Sequence, residues 1–380
     1  MIDFSLSAEQ DLIRETAKDF ANSHLLPGVM ERDDKSIFPI KEIQKLGELG
    51  FMGMMVPEKW GGSGLDTVSY TLAIEEISAV ELSTSTIMSV NNSLVCQVLM
   101  DWGNNLQKKK YLIPLASGKK LGAYSLSEPD SGSDARNMQT FAERDGDDYI
   151  INGTKNWVTS GENSDLVVFF CRTKRDSSTN GISAFIIDKS TPGLTVGKKE
   201  DKLGLRASDT CQLYFENCRL SKENRIGDEG QGFSIAMNAL GGGRIGIAAQ
   251  SVGLARSALE KAISYSKERE QFGKPISKFG AIQNKLADIA TNVQSARLLV
   301  WQAAYLKDKG RDYIKESSMA KLFASSTAMN AASECVQIHG GYGYMQEYGI
   351  ERLMRDAKVT EIYEGTSEIQ RLVISRELLK

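Results

Sequence analysis

Two apolar runs, DLVVFFCR at residues 165–172 and GISAFIID at residues 181–188, interrupt a chain whose flanking patterns are helical. DYII at 148–151 and CQLYFENC at 211–218 are similarly rich in β-branched and aromatic residues. Turn-forming residues separate the four runs, and no helical pattern lies between them, which argues against βαβ crossovers. The sequence therefore predicts a small antiparallel, β-barrel-like domain over residues 120–230.

The segment before this domain is patterned for helices. Over residues 7–26, Ser7 and Gln10 have the spacing of a capping box, and apolar residues recur at helical intervals. A second helix is expected over residues 39–49, because Pro is favoured at a helix start and Gly just past a helix end. We predict an all-helical domain over residues 1–119.

The segment after the β domain carries two apolar seams. Their residues step by three or four positions, as residues on one packed helix face do. The first seam is Ile282, Leu286, Ile289, Val293, Ala296 and Val300, and the second is Met319, Leu322, Ser326, Met329, Ser333 and Val336. We predict a C-terminal four-helix bundle over residues 231–380, which makes the whole chain an α+β fold.

Composition argues against several classes of protein. The chain has 380 residues and a net charge of −3, so it lacks the basic surface of a nucleic-acid-binding protein. No apolar run has the length of a membrane span, and the N-terminus has neither the basic lead nor the apolar core of a secretory signal. We expect a cytoplasmic protein, or a mitochondrial matrix protein if a presequence was removed. Five cysteines without a CxxC pair and two histidines predict no metal site.

The stretch RDAKVTEIYEGTSEIQR, residues 355–371, displays one carboxylate between two helical patterns. The first helix is expected to break over residues 363–366, where Gly365 would relieve crowding beside a ligand. Thr366 can cap the second helix, whose N-terminus favours an anion. This pattern leaves two interpretations of Glu364, a catalytic base or an acid in a surface turn.

The glycines of GGGRIG, residues 241–246, match the spacing of a dinucleotide-binding fingerprint. That fingerprint is informative only after a strand and within a βαβ unit, whereas the preceding FSIAMNAL is helical in pattern. We therefore expect no nicotinamide site. The glycines would instead let another group approach the backbone closely, and Arg244 could hold an anion or a polar arm.

Four further segments have both a ligand-binding and an ordinary structural interpretation. YSLSEPDSGSD at 124–134 offers hydroxyls and backbone amides to a polar ligand, or is a surface loop. The Trp and Thr of NGTKNWVTSG at 152–161 flank an aromatic cofactor, or belong to the core. REQFGK at 269–274 holds a pyrophosphate, or is an ordinary helix end. QIHGGYGY at 337–344 binds phosphate through its amides, or is a hinge.

Together, these segments resemble the acyl-CoA dehydrogenase family of flavoenzymes, over about residues 1–380. YSLSEPDSGSDA, GTKNWVTSG, GKKEDKLGLRAS, REQFGKPI, QIHGGYGY and YEGTSEIQR follow one another in that family's order and spacing. The likeness is closest to short-chain acyl-CoA dehydrogenases, and residues 205–217 are also similar to the short branched-chain type. It implies that the β domain and the bundle of one subunit hold FAD while a neighbouring subunit contributes to the same cofactor.

The resemblance implies a reaction at Glu364. This residue would remove the α-proton of a short-chain acyl-CoA while flavin N5 accepts the β-hydrogen as hydride, giving a trans-2-enoyl-CoA. Relatives that place the base on a bundle helix carry it where Gly243 stands here, which leaves Glu364 as the carboxylate in a family catalytic position. Short-chain relatives often have an acid at the position of Gly241, and its absence bears on substrate preference.

The resemblance also implies the other site residues. Ser133, Arg244 and Gly365 would contact the substrate. The FAD site would comprise Tyr124, Leu126, Ser127, Ser133, Trp157, Thr159, Arg269, Gln271, Phe272, Gln337, Gly340, Gly341, Thr366 and Glu368.

The implied partners are an acyl-CoA substrate, an electron-transfer flavoprotein as electron acceptor, and further copies of the chain in a homotetramer built as a dimer of dimers. Neither nucleic acid nor a membrane is expected as a partner. Three alternatives remain open. They are a short/branched-chain (2-methylacyl) dehydrogenase, an acyl-CoA oxidase-type flavoenzyme of the same fold, and a helical scaffold without catalysis.

Overall fold

The structure is a computed structural model that describes residues 5–175 and 179–380. The described part is helical from residue 8 to residue 116, contains one large sheet between residues 122 and 226, and is again mainly helical from residue 232 onward. The predicted order of helical, β and helical regions is confirmed. The domain boundaries at residues 119/120 and 230/231 remain predictions.

The first helix begins at the predicted capping box. The Ser7 hydroxyl accepts a hydrogen bond from Gln10 N at 3.2 Å, and the Gln10 side chain accepts one from Ser7 N at 3.1 Å. The chain then continues through a π-helical turn, Ala21–Leu25. The α-helices of this region are α1 (Ala8–Phe20), α2 (Val29–Asp34), α3 (Ile40–Glu48), α4 (Thr67–Val80), α5 (Leu82–Ser89), α6 (Gln97–Trp102), α7 (Asn105–Gln107) and α8 (Ile113–Ala116).

Eight strands of the described residues form the large sheet. They are β1 (Gly122–Ser125), β2 (Phe141–Asp145), β3 (Asp148–Thr159), β4 (Leu166–Arg172), β5 (Ile182–Asp188), β6 (Leu194–Lys199), β7 (Thr210–Ser221) and β8 (Arg225–Ile226). Their order is β6-β7-β3-β2-β4-β5-β8, and β1 pairs with β4. The four predicted strands coincide with parts of β3, β4, β5 and β7. The sequence did not reveal β1, β2, β6 and β8. Three of the five β2 residues are exposed, and the residues of β6 are exposed or half-buried, so neither strand forms an apolar run.

Most strand pairs are antiparallel, as predicted, but β1 runs parallel to β4 with Gly122 opposite Leu166. A second parallel contact joins Phe141 of β2 to Arg172 of β4. Parallel neighbours do not require a βαβ crossover here, since the β2–β3 hairpin lies in the connection between β1 and β4. The expectation that no βαβ unit occurs is therefore compatible with two parallel pairings.

Strand β4 is buried on both faces. Leu166, Val168 and Phe170 pack with residues of the N-terminal helices, such as Leu99, in one apolar cluster. The alternating residues Val167, Phe169 and Cys171 belong to a second cluster on the opposite face. Burial of both faces explains why this strand is an uninterrupted apolar run rather than an alternating one.

Long helices make up most of the C-terminal region. They are α9 (Gly232–Glu268), α10 (Gly280–Asp308), α11 (Ile314–His339), α12 (Gly341–Tyr344), α13 (Ile350–Thr360) and α14 (Ser367–Leu378). A two-stranded hairpin of β9 (Glu270–Gln271) and β10 (Lys274–Pro275) joins α9 to the next helix. The predicted seam of α10 is confirmed, because Ile289, Val293, Ala296 and Val300 are buried and the first two seam residues are partly buried.

The predicted seam of α11 is wrong. Met319 is exposed and Ser326 faces solvent, whereas a stripe of small residues is buried. This stripe comprises Ser317, Ser318, Ala320, Ala324, Ser325, Ala328, Ala331 and Ala332. Helix α11 packs most extensively against the glycine-rich α9, and small side chains permit that close approach.

The N-terminal helices and the C-terminal bundle share one hydrophobic core. A single cluster of buried side chains runs from Ala17 in α1 through Tyr70 in α4 to Val293 in α10 and Ala357 in α13. The N-terminal helices and the C-terminal bundle therefore both contribute residues to any site that lies between them. Within the described residues, no helix combines the length and apolarity needed to cross a membrane.

Candidate active site

The turn between α13 and α14 has the predicted form. Helix α13 ends at Thr360, and Thr366 caps α14 by accepting a hydrogen bond from Ile369 N at 3.4 Å. Between them, Glu364 has a φ of +51° and Gly365 a φ of +94°. A left-handed conformation at a residue other than glycine costs about 1–2 kcal/mol. The turn thus holds Glu364 in a strained backbone conformation that the surrounding structure must stabilise.

Gly365 is required by the backbone itself. A side chain at this position would meet Nε2 of Gln370 at 2.8 Å, and its positive φ disfavours any L side chain. The sequence suggested that this glycine leaves room for a ligand. The structure adds an intramolecular reason that holds without a ligand.

Two buried side chains bind the carbonyl groups of the turn. Nζ of Lys321 donates to Gly365 O at 2.8 Å, and Nε2 of Gln370 donates to the same oxygen at 2.8 Å and to Glu364 O at 3.2 Å. Sequence analysis missed Lys321. The available signal was its position on the same α11 face as Ala324, Ala328 and Cys335, where a solvated lysine would not be expected.

The carboxylate of Glu364 is directed towards the middle of α9. Its Oε2 atom is buried and has no hydrogen-bond partner among the described residues. A Cβ atom at Gly243 would overlap this oxygen, so the glycine makes the position of the carboxylate possible. Burial raises the pKa of Glu364 to about 7, and the positive charges of Lys321 and Arg244 limit that rise.

Arg244 lies beside this carboxylate within α9. It is buried, its NH1 atom donates to Ser318 Oγ at 3.2 Å, and its Nε has no partner among the described residues. Burial lowers the pKa of Arg244, and Glu364 opposes that shift. The GGGRIG segment lies inside a continuous helix, so a nicotinamide fingerprint is excluded there. The predicted contact of Arg244 with substrate remains a prediction.

The buried Tyr70 and the half-buried Tyr363 complete the surroundings of Glu364. Tyr70 shares a hydrogen bond of 2.9 Å with Ser89 Oγ, and Tyr363 donates to Gln250 Oε1 at 2.9 Å. Burial raises the pKa of Tyr70 and Tyr363, and the negative charge of Glu364 adds to the rise. These hydroxyls stay protonated at neutral pH, so they do not compete with Glu364 for a proton there.

A second group of predicted residues surrounds the start of the β domain. Ser127 O accepts a hydrogen bond from Asn156 N at 2.8 Å, and Leu126 O accepts one from Lys155 Nζ at 3.0 Å. These bonds bring residues 124–134 and 152–161 together, although they are separate in the sequence.

Trp157 is 61% exposed, with a φ of +59°. The alternative that Trp157 is a core residue is therefore wrong. Thr159 pairs with Thr210 of β7, and Ser133 is exposed in its loop.

Tyr124 connects this second group to the helical bundle. Its hydroxyl donates to Ala236 O of α9 at 3.4 Å, and its ring packs against Phe170 of β4. Burial raises the pKa of Tyr124, and Glu364 contributes to the increase. Tyr124 therefore links the start of the β domain to α9.

A third group lies around the β9–β10 hairpin. The guanidinium of Arg269 lies 5.6 Å from the ring centre of Tyr342, which brings the hairpin to the break between α11 and α12. Phe272 is 94% exposed. The other predicted members, Gln271, Gln337, Gly340 and Gly341, are also exposed, as is Glu368 in α14. No hydrogen bond, ion pair or ring contact among the described residues joins this hairpin to Glu364.

The described part of the chain contains no cluster of metal ligands. Across residues 5–175 and 179–380, no three His, Cys, Asp or Glu side chains are close enough to hold a metal ion. The five cysteines are buried thiols. The predicted site residues that lie together in the structure are polar, aromatic and carboxylate groups and not a set of metal ligands.

Three family models match successive parts of the chain. "Acyl-CoA dehydrogenase, N-terminal domain" matches residues 7–119, "Acyl-CoA dehydrogenase, middle domain" matches residues 123–218, and "Acyl-CoA dehydrogenase, C-terminal domain" matches residues 230–379. The three matches occur in the order of the helical, β and helical regions.

Individual relatives match over the whole length. A short-chain specific acyl-CoA dehydrogenase from Clostridium acetobutylicum is 47% identical over 379 residues, covering 100% of both chains. Butyryl-CoA dehydrogenase from Megasphaera elsdenii has a TM-score of 0.98 at 44% identity, with 100% of both chains covered. A chain in the structure described as the electron transferring flavoprotein of Acidaminococcus fermentans has a TM-score of 0.98 at 49% identity, with the same coverage.

Proposed function

The chain belongs to the acyl-CoA dehydrogenase family, and from this premise we propose that it oxidises short-chain acyl-CoA thioesters with Glu364 as the catalytic base. It is an FAD-dependent oxidoreductase, so the alternative of a scaffold without catalysis is wrong. The single observation that carries the assignment of the base is the buried, unpaired Oε2 of Glu364.

Burial gives Glu364 a proton affinity suited to this role. The α-proton of a thioester is too weakly acidic for an ordinary exposed carboxylate, whose pKa is near 4.3. Burial raises the pKa of Glu364 to about 7, which makes it a stronger base while it still ionises near neutrality. FAD, when bound, supplies the acceptor for the β-hydrogen and its electron pair. Glu364 takes the α-proton, and a double bond remains between the two carbons.

The residues of the second group fit FAD. Ser125 and Ser160 each have a buried hydroxyl without a partner in the described part of the chain. The exposed indole of Trp157 lies in the same pair of joined segments. A planar aromatic ligand with polar edges suits an exposed ring beside unpaired hydroxyls and backbone groups. Tyr124, Leu126, Ser127, Trp157 and Thr159 would hold its aromatic ring system.

The names of the relatives support a short acyl chain. The Clostridium acetobutylicum relative is described as short-chain specific, and the Megasphaera elsdenii neighbour as butyryl-CoA dehydrogenase. A 2-methylacyl substrate and an oxidase reaction remain alternatives within the same fold. Rates of flavin reduction with acyl-CoAs of four to eight carbons, and with 2-methylbutyryl- and isobutyryl-CoA, would separate straight from branched substrates. Rapid reoxidation by air with release of peroxide would identify an oxidase.

We extend the proposal to the partners. The Acidaminococcus fermentans neighbour supports an electron-transfer flavoprotein as electron acceptor. The separation of the hairpin group from Glu364, together with the exposed Phe272, supports a homotetramer in which Arg269, Gln271 and Phe272 serve the FAD of a neighbouring subunit. A cytoplasmic location remains a prediction.

Replacing the base tests the proposal most directly. Glu364→Gln keeps the size of the side chain but cannot accept the α-proton, so we expect bound FAD and a loss of at least about a thousandfold in the rate of flavin bleaching by anaerobic butyryl-CoA. Glu361→Gln is the matched control, because Glu361 lies three residues away and pairs with Lys358 near the surface. Substantial bleaching by Glu364→Gln would move the role of base to another residue.

A further inference from the structure

Lys321 is an unusual residue for its position. Its side chain is fully buried on the small-residue face of α11, where its Nζ donates to Gly365 O at 2.8 Å. The described residues include no carboxylate within ion-pair distance of this ammonium group. A buried charge without a direct counter-ion is unfavourable, so a purely structural role would be served better by an apolar side chain.

Lys321 donates its hydrogen bond to the strained turn. Glu364 and Gly365 both have positive φ, and Gly365 O receives two donors, Lys321 Nζ and Gln370 Nε2. Two donors on one carbonyl oxygen fix the orientation of that peptide group. This peptide joins Gly365 to Thr366, one residue after Glu364, and Gln370 Nε2 also donates to Glu364 O at 3.2 Å. The contacts therefore hold both peptide groups that follow Glu364 and help to set the direction of the carboxylate.

The charge of Lys321 also acts on Glu364. The titratable groups that face this carboxylate are Lys321 from α11, Arg244 from α9, Tyr70 from α4, Tyr124 from β1, and Tyr363 from the turn itself. The tyrosines are neutral, so the lysine and the arginine are the positive charges that favour the ionised carboxylate. Burial lowers the pKa of Lys321 to about 8, opposed chiefly by Glu364, with Glu361 and Glu368 adding to that opposition.

We propose that Lys321 is a positioning residue that holds the turn carrying Glu364 and favours the ionised, proton-accepting form of that carboxylate. The proposal rests on the proposed function, because Lys321 acts on Glu364 and Glu364 is the proposed base. Lys321 does not touch the reacting atoms in this assignment. It acts through Glu364, and its removal should change the pH at which the base works.

A pair of substitutions separates charge from hydrogen bonding. Lys321→Met and Gln370→Met each remove a donor to Gly365 O and leave a methionine there, but only the first removes a charge. We expect Lys321→Met to move the midpoint of the pH profile of flavin reduction upward by about one unit, because a nearby opposite charge changes a carboxyl pKa by about that much or more. Below the midpoint, the rate would then be about tenfold lower than in the unsubstituted enzyme. Gln370→Met should lower the plateau rate and leave the midpoint in place.

Infrared titration of the holoenzyme provides a measurement that does not depend on turnover. The carboxyl band that disappears in Glu364→Gln identifies Glu364, and its midpoint should rise in Lys321→Met as the kinetic midpoint does. This readout stays valid if Glu364 is not the base, so a failure of the proposed function and a failure of the present proposal are distinguishable. Lys321→Gln, which keeps a donor but loses the charge, should show the same upward shift.

Three results would overturn the proposal. One is an unchanged Glu364 midpoint in Lys321→Met and Lys321→Gln. Another is an equal shift in Gln370→Met, which would show that hydrogen bonding rather than charge sets the midpoint. The third is failure of both lysine variants to form an FAD-containing enzyme, which would assign Lys321 to folding.

Discussion

Lys155 in the β domain and Lys321 in the helical bundle are both fully buried, yet their surroundings differ. Nζ of Lys155 donates to Glu128 Oε1 at 2.8 Å and to Leu126 O at 3.0 Å, which forms a closed ion pair. Nζ of Lys321 donates to a backbone carbonyl, and the nearby Glu364 keeps an unpaired Oε2. One lysine neutralises a carboxylate by direct contact, and the other leaves a carboxylate free.

The two carboxylates respond in opposite directions. Burial alone would raise the pKa of Glu128, but the charge of Lys155 and the backbone N–H of Gln139 outweigh it and lower that pKa. Burial of Glu364 dominates instead and raises its pKa to about 7. A closed pair therefore stabilises a loop, whereas an open arrangement leaves a carboxylate able to take up a proton near neutral pH.

The largest expected effect follows from opening the closed pair. Lys155→Met leaves Glu128 buried without its counter-ion, and removing one partner of a buried pair costs about 3–5 kcal/mol. We expect a large drop in the apparent free energy of unfolding of the holoenzyme, measured by denaturant titration, and loss of FAD if the loop at Leu126 holds it as proposed. Lys321→Met should be less destabilising, because Glu364 can take up a proton once the charge is gone.

The surface pair of Lys222 and Asp147 supplies the control for this experiment. Both side chains are exposed, so Lys222→Met should leave the unfolding transition unchanged. Equal destabilisation by Lys155→Met and Lys321→Met would contradict the distinction between a closed and an open arrangement.

A smaller effect should follow from moving the free carboxylate. Gly243→Ala introduces a Cβ that overlaps Glu364 Oε2, so the proposed base must shift. A displacement of about 1 Å in a catalytic group lowers the rate about 100-fold. We expect that loss in the rate of flavin reduction by butyryl-CoA, with FAD content unchanged.

The neighbouring glycine offers a matched control. In Gly242→Ala, the added Cβ would lie 3.5 Å from Lys307 Nζ, an ordinary contact. An alanine in a helix interior is also favoured over glycine by about 1 kcal/mol. Gly242→Ala should therefore keep its activity and gain slightly in stability, and equal activity of the two variants would argue against the position assigned to Glu364.

The smallest effect is a pH dependence without any substitution. In the proposed mechanism the ionised form of Glu364 accepts the proton, and burial raises its pKa to about 7. We therefore expect kcat/KM for flavin reduction to rise about tenfold per pH unit up to about pH 7 and then level off. A profile that is flat between about pH 5.5 and 8 would contradict this ionisation.

The stability contributions of the two carboxylates should have opposite signs. The raised pKa of Glu364 contributes stability that is present below its ordinary pKa of 4.5 and is lost as the pH rises through about 7. The lowered pKa of Glu128 contributes stability that is present above 4.5 and is lost as the pH falls through its value in the folded protein. Comparing pH-dependent unfolding of Glu364→Gln and the unsubstituted enzyme would isolate the first contribution.

Local sequence patterns predicted much of the fold. The capping box at Ser7, the cap at Thr366 and the seam of α10 depend on residues within one or a few helical turns, so the sequence located them correctly. The seam of α11 failed because burial there depends on the partner helix α9, whose glycines select small residues. The strands β2 and β6, whose residues are mostly exposed or half-buried, lacked an apolar run.

Part of the candidate site was likewise predictable from local motifs, and part was not. Motif order indicated Glu364, Thr366 and the segments proposed to hold the flavin, and Tyr124 contacts α9, the helix that also lies against Glu364. Sequence analysis assigned no role to Lys321, because its contact with Gly365 joins residues that are 44 positions apart. Arg244 was expected at the substrate, and its burial beside Glu364 depends on how α9 packs.

By itself, the sequence determined the order of helical and β regions, the turn that displays Glu364 and the family of the enzyme. These properties follow from local propensity and from motifs that are contiguous in the chain. Only the tertiary structure decided that the Oε2 atom of Glu364 is buried against Gly243, that Lys321 donates to a carbonyl of its turn and that Lys155 closes an ion pair with Glu128. The physical reason is that desolvation and Coulomb interactions depend on distances between elements, which no local pattern specifies.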